Sequence, residues 1–423
     1  MRTPATVFDP RAVIEGRAPG RAPVGVIIGI VVGSICVLLA FGVELLESVA
    51  AAGHSAVPFF IALPLALAPV PLLIGAVLFV DRLEPEPRIN LTFAFVWGAG
   101  IAALFAALIN TAGLEYVTQP ALGASAGEYI SATAGAPVVE ETLKGLFLVW
   151  LVHWRRQELD GPTDGITYAA MVGLGFAMTE NIGYYINALI SPGGTRLLGY
   201  TFVLRGVLSP FLHPVFTSMT GIGAAYAASH RRAGWALPLG WLAAMLLHGM
   251  WNGLSIFGLA GTGIAYLVLL CLLIVIICII RADRRRIAGL IRHYLPGYEP
   301  TGLVTPGDIE MLSSLKGRRQ ARKWARATGG LAAAAAMSDY QLAATELALL
   351  HQKATRGVVG WAEFAKRQQA LLSLMQVARS AFLRRQPVPP PAPWAGPEPS
   401  SFTRAAAYAV PMPQPIMPRE REP

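Results

Sequence analysis

Residues 137–152 read PVVEETLKGLFLVWLV, with two glutamates and a lysine set inside an otherwise apolar run. Glu140, Glu141 and Lys144 fall within one helical turn, the lysine four residues after the first glutamate and three after the second. The surrounding run, 129–152, is long enough to cross a bilayer, which takes about 20 helical residues. Each charge inside such a run costs roughly 2.5–3.5 kcal/mol on the insertion scale. Charges placed there ask for partners on neighbouring helices.

Of the 423 residues, 54% are hydrophobic and 14% charged, against roughly 25% charged in soluble proteins. That excludes an ordinary soluble domain. Eight apolar runs suit membrane spans, near 24–43, 57–80, 90–111, 129–152, 165–190, 201–228, 235–258 and 262–280. The fold class expected is therefore all-α, a polytopic membrane protein of about eight transmembrane helices with a cytoplasmic helical tail. Pro58, Pro64, Pro69 and Pro71 should kink or break the second span.

Loop charges give an orientation. Arg82 and Arg88, Arg155 and Arg156, and Arg231 and Arg232 mark alternate loops, and the two termini are basic as well. Both termini are therefore expected in the cytoplasm of a multi-pass protein of the cell membrane. The net charge of +9 sits mostly in the tail and loops. It reads as a cytoplasmic excess of basic residues, and nucleic acid is not an expected partner. Residues 1–23 should be a disordered N-terminus without a cleavable signal, 281–385 a basic helical region, and 386–423 a Pro-rich disordered tail. Val304-Thr305-Pro306-Gly307-Asp308 looks like a helix entry, and the basic region could receive a cytoplasmic partner. Cys36, Cys271 and Cys278 lie in apolar runs and read as small hydrophobic fillers.

The ionisable residues of the spans are not scattered. Spans one, two, three and eight have none in their central parts; span four has Glu140, Glu141 and Lys144, span five Glu180, span six Arg205 and His213, span seven His248. Counted from the outer ends, Glu140, Glu180, His213 and His248 all fall about 15–18 Å deep. Four helices thus bring ionisable groups to one level. His213 is followed four residues on by Thr217, His248 by Asn252, and Phe176 precedes Glu180 at the same spacing.

Two imidazoles and a carboxylate meeting in a dry site fit a zinc-type centre with three protein ligands and one open position. Glu180, His213 and His248 are the expected ligands, with Glu140 or Glu141 as general base on a water. Asn252 could donate to a developing oxyanion, and Lys144 would balance the paired glutamates. Each feature has a plainer reading. A lone His in a span commonly serves packing, Glu140 with Lys144 can be a structural ion pair, and Arg205 can snorkel to the outer surface. Thr217 can bond its own backbone, and Asp81-Arg82-Leu83-Glu84-Pro85-Glu86-Pro87 can be a charged helix exit stopped by prolines. Taken together, the plain readings give no reason for a common depth.

These residues resemble the PrsW family of intramembrane metalloproteases, relatives of the CAAX-processing and bacteriocin-immunity proteases. Its Glu-Glu-x-x-Lys motif matches Glu140, Glu141 and Lys144, and its Phe-x-x-x-Glu motif matches Phe176 and Glu180. A His-bearing helix matches His213, and His-x-x-x-Asn matches His248 and Asn252. The DRLEPEP loop is similar to one often found there. The resemblance covers about residues 60–258. It implies hydrolysis of peptide bonds in membrane-anchored proteins, with the paired glutamates and the histidines essential. In the wider superfamily, glutamate with histidine is also held to activate water without a metal; His213 or His248 would then serve the oxyanion. Two rival functions remain open at this level. One is a proton-coupled transporter, disfavoured by the missing inverted repeat; the other is a non-catalytic scaffold or immunity-type protein acting through its basic tail.

Overall fold

The computed structural model describes residues 24–230 and 232–383, together with residue 13. The expectations for 1–23, apart from residue 13, and for 386–423 lie outside the described residues. Among those described there are helices and no strands. The chain divides into two compact units, Ala22–Arg284 and a second that takes in Arg285–Pro423, described as far as Leu383.

In the first unit α1 is Val24–Ala51, α2 Val57–Val80 and α3 Arg88–Leu122. Then follow α4 (Ala124–Ile130), α5 (Ala136–Trp154), α6 (Pro162–Ile190), α7 (Gly194–Phe202), α8 (Leu212–Ser229), α9 (Ala236–Ser255) and α10 (Gly258–Tyr294), which belongs to the first unit as far as Arg284. Among the described residues four stretches qualify as membrane spans by length and apolarity: α1, α2, α3 and the run that begins with α10. Leu38, Leu72, Leu108 and Leu267 of these four lie exposed, a surface that hydrocarbon would cover. α2 is interrupted at Ala68–Pro69, as its prolines require.

Several expectations about helix limits need correcting, that for 262–280 among them, since α10 runs on to Tyr294. α1 runs eight residues past the end expected at residue 43, and α3 runs on to Leu122. The run 201–228 is not one helix either. A π-helical turn, Val203–Leu208, closes α7, and α8 begins anew at Leu212. Pro210 forbids a continuous helix, because it has no N–H and pushes the residue before it out of the helical region. Ser209 accordingly takes φ −126°, ψ 38°, and its hydroxyl donates to Leu204 O at 2.7 Å. The break puts His213 in the first turn of α8.

α6 is the axis of this unit, with buried residues on every face from Thr163 to Ala188. Backbones approach it where side chains are missing. A Cβ on Gly165 would stand 2.0 Å from Gly221 O on α8, and one on Gly173 would stand 2.6 Å from Pro214 N. Small residues at crossings let helices close without a hydrophobic drive in lipid, and here they press α6 against the turn that carries His213.

The DRLEPEP loop does more than stop a helix. Glu86 N donates to Asp81 at 2.9 Å, and Tyr168 of α6 has its hydroxyl 2.8 Å from Glu86 and 2.7 Å from Glu158. A phenol carries one proton, so two carboxyls at that oxygen require a proton on one of them. Asn90 and Arg155 both donate to Glu158, which leaves Glu86 as the acid. Burial, then the charges of Asp164, Asp81 and Glu158, hold the Glu86 carboxyl well above the usual carboxylate range. This knot ties α2, α3 and the 155–160 turn to the start of α6.

In the second unit, α11 (Pro306–Leu312) starts from Thr305 with a reciprocal capping box to Asp308. α12 (Leu315–Thr355) is bent at Gly329–Gly330, where Gly330 has φ +68°, and α13 is Trp361–Leu383. Its core holds Tyr298, Tyr340, Leu347, Phe364 and Met375. Tyr298 donates to Nε2 of His351 at 2.6 Å, and burial pushes that imidazole down to about 4.

Candidate active site

α5 enters the core with Pro137 in its first turn, and Glu140, Glu141 and Lys144 are all buried. Lys144 is the hub. Its Nζ lies 2.9 Å from Glu141 Oε1, 3.4 Å from Glu140 Oε2 and 3.0 Å from Nδ1 of His213. It also sits 3.8 Å above the ring of Phe176, which gives the aromatic of the Phe-x-x-x-Glu pattern a cation–π role. Glu141 is saturated: besides the lysine it accepts from Thr217 at 2.9 Å and contacts Nδ1 of His248 at 3.1 Å. Thr217 is thus a partner of the site, against its plain reading.

With Nδ1–H of His248 donated to Glu141, Nε2 keeps its lone pair and faces Glu140 Oε2 at 3.9 Å. Glu140, His213 and His248 each offer a ligand atom within 4.8 Å of the others. The two imidazoles meet edge to face at 5.2 Å, and Phe216 stacks on His248. Glu180 Oε2 stands 2.9 Å from Nε2 of His213 and also receives Arg205. Arg205 donates further to Asn181 at 2.7 Å and lies over Tyr184, so it is held inward and does not snorkel.

Asn252 lines the same cavity and donates to Ala132 O at 2.9 Å. That carbonyl is freed by the π-helical turn Ser131–Gly135. The structure therefore brings together the candidate site residues Glu140, Glu141, Lys144, Glu180, His213, His248 and Asn252. It adds two that the sequence does not signal. Asn110 donates to Glu140 Oε1 at 3.3 Å, and Glu44 lines the cavity from α1. Charge in an apolar run does not point to an asparagine, and Glu44 lies beyond the expected end of its span.

Do these residues fit a metal? Glu140 and His248 do as they stand, the second with Glu141 behind its other nitrogen in the carboxylate–histidine arrangement usual for ligands. His213 fits once the proton on Nε2 leaves, since Lys144 already occupies Nδ1. Charge agrees: three carboxylates, Glu140, Glu141 and Glu180, meet two cations, Lys144 and Arg205. A buried excess of negative charge calls for a cation or a proton.

Residues 86–279 match the model of the PrsW family intramembrane metalloprotease. Protease PrsW of Geobacillus kaustophilus is 30% identical over 177 residues, which are 41% of this chain and 70% of that protein. The chain belongs to the PrsW family. Protease PrsW of Oceanobacillus iheyensis is 34% identical over 125 residues, 29% of this chain and about half of that relative, at 54%. No solved structure matches the chain significantly. As a PrsW family member it is a peptidase, and its apolar helices fit an enzyme of the membrane. α1 lies outside the matched residues.

Proposed function

We propose that this chain is an intramembrane endopeptidase that hydrolyses a peptide bond of a membrane-anchored protein, at the cavity where Glu140, His213 and His248 converge. That convergence carries the reading: three buried side chains from three helices line one cavity of about 280 Å³. Glu140, His213 and His248 would hold a divalent metal, zinc by the donor set of two imidazoles and one carboxylate. When bound, it supplies Lewis acidity to the scissile carbonyl and acidifies a water.

The chain's own groups do the rest. Glu141 aims His248, and Lys144 offsets the paired glutamates. Glu180 commits Oε2 to Arg205 and His213, leaving Oε1 to take the proton of the attacking water. The second amide hydrogen of Asn252 is left for the oxyanion. This exchanges the roles first expected of Glu140 and Glu180, because Glu180 is engaged with Arg205 while Glu140 faces the free nitrogen of His248.

A second reading has one observation in its favour. Both ring nitrogens of His213 are occupied, by Lys144 and Glu180, which suits activation of water by glutamate and histidine without a metal. The membrane layout proposed is eight crossings of the cell membrane, with α7 and α8 sharing one, and both termini in the cytoplasm. The basic region 281–385 would meet a cytoplasmic partner.

The test uses the purified full chain in proteoliposomes with a single-span substrate. Cleavage is expected, with loss in Glu140→Gln. Undiminished proteolysis by the double variant Glu140→Gln/Glu141→Gln would remove the reading. One equivalent of zinc, lost in His248→Ala, favours the metal form; activity in metal-free protein favours the other.

A further inference from the structure

Glu44 is a carboxylate that the proposed chemistry does not use. It sits on α1, four residues from Ala40 and next to Val43, and all three line the cavity with Glu140, Glu180 and His213. Its oxygens pack on α6 at Gly183: a Cβ there would stand 2.9 Å from Oε1 and 3.0 Å from Oε2. Gly183 is thus what makes room for an acid at this wall. Among the described residues no hydrogen bond or ion pair reaches Glu44, and the charged groups that act on it are Glu47 and Glu180, both acidic. Arg205, the cation of the same cavity, is committed to Glu180, Asn181 and Tyr184.

Gly183 lies three residues beyond Glu180 on α6, a rise of about 4.5 Å along the helix. An extended peptide advances about 3.3–3.6 Å per residue. A substrate strand whose scissile carbonyl lies beside Glu180 would therefore bring a side chain one or two residues away against Glu44. A half-buried carboxylate with only acidic neighbours gains most from a cation delivered by the ligand.

Resting on the peptidase reading, we infer that Glu44 is a specificity residue that accepts a lysine or arginine side chain of the substrate, one or two residues from the bond cut. α1, which carries Glu44, lies outside the residues matched by the family model.

The probe is a set of single-span peptides carrying one lysine, glutamine or glutamate at each of the positions flanking the cut. Wild type is expected to cleave the best lysine peptide about tenfold faster than its glutamate counterpart. Glu44→Gln should flatten that ratio and Glu44→Lys should invert it, both still cutting the glutamine peptide. The same peptides are crosslinked to the inactive Glu140→Gln protein, where the lysine preference should survive and disappear on adding Glu44→Gln. A lysine preference unchanged by Glu44→Gln, or no charge preference in wild type, overturns the inference. If no peptide is cleaved while the crosslinking preference depends on Glu44, the peptidase reading fails and the cation subsite stands; if neither is seen, both fall.

Discussion

Lys144 Nζ stands 3.0 Å from Nδ1 of His213, so the ammonium takes the ring lone pair on that side and leaves the ring proton on Nε2. One lysine thereby fixes the tautomer of a histidine from another helix while neutralising two glutamates on its own. Buried ion pairs add little net stability but are costly to break, about 3–5 kcal/mol when one partner is removed.

Lys144→Met should therefore lower both stability and activity. The expected loss is about 3–5 kcal/mol, read as a lower thermal midpoint in detergent, with cleavage gone. Adding Glu141→Gln should restore part of the midpoint and none of the activity. A neutral single variant would show that the lysine carries no such burden.

Glu140 and Glu180 can be told apart by metal content. Glu140→Gln should lose both metal and cleavage. Glu180→Gln should keep the metal and lower kcat by about 10²–10⁴, the usual worth of a general base. The reverse pattern, metal lost with Glu180 and kept with Glu140, would return the two residues to the roles first expected from the sequence.

The carboxylate knot at the start of α6 predicts an unusual pH dependence. Burial pushes the Asp81 carboxyl up to about 7, against about 3.9 for a free one. The folded chain then holds this proton more tightly than the unfolded chain does. Its contribution is full below about pH 4 and is lost as the pH rises through about 7, at about 1.4 kcal/mol per unit. Glu86 shifts in the same direction. The thermal midpoint should fall between pH 5 and pH 8, and less steeply in Asp81→Asn. A midpoint rising over that range would contradict the assignment.

The site is legible in the sequence because its residues are ionisable and expensive in an apolar run; Glu140, His213 and His248 can be found by charge alone. What stays hidden are groups that cost little. Asn110 has no charge, and the second role of Thr217 depends on which helix it faces. The break at Ser209–Pro210 is readable from the proline, but the apolar flanks on both sides argue for one span. Arg205 misleads for a related reason. Its place near a helix end suggests snorkelling, and only the neighbouring helix shows that Glu180 holds it. The DRLEPEP knot needs Tyr168, more than eighty residues away, to show why its carboxyls are buried.

Gly173 offers a way to move His213 without touching it. A Cβ at that position would stand 2.6 Å from Pro214 N and 2.8 Å from His213 C. These are backbone atoms, so the first turn of α8 must shift as a piece. Gly173→Ala should cost about 1–3 kcal/mol from overpacking. Because a displacement of about 1 Å can cost about 10²-fold in rate, cleavage should fall further than stability. Gly199→Ala, on α7 with open space around it, is the control and should change neither. Equal, small effects of the two substitutions on kcat would mean that the contact between α6 and α8 does not set the position of the histidine.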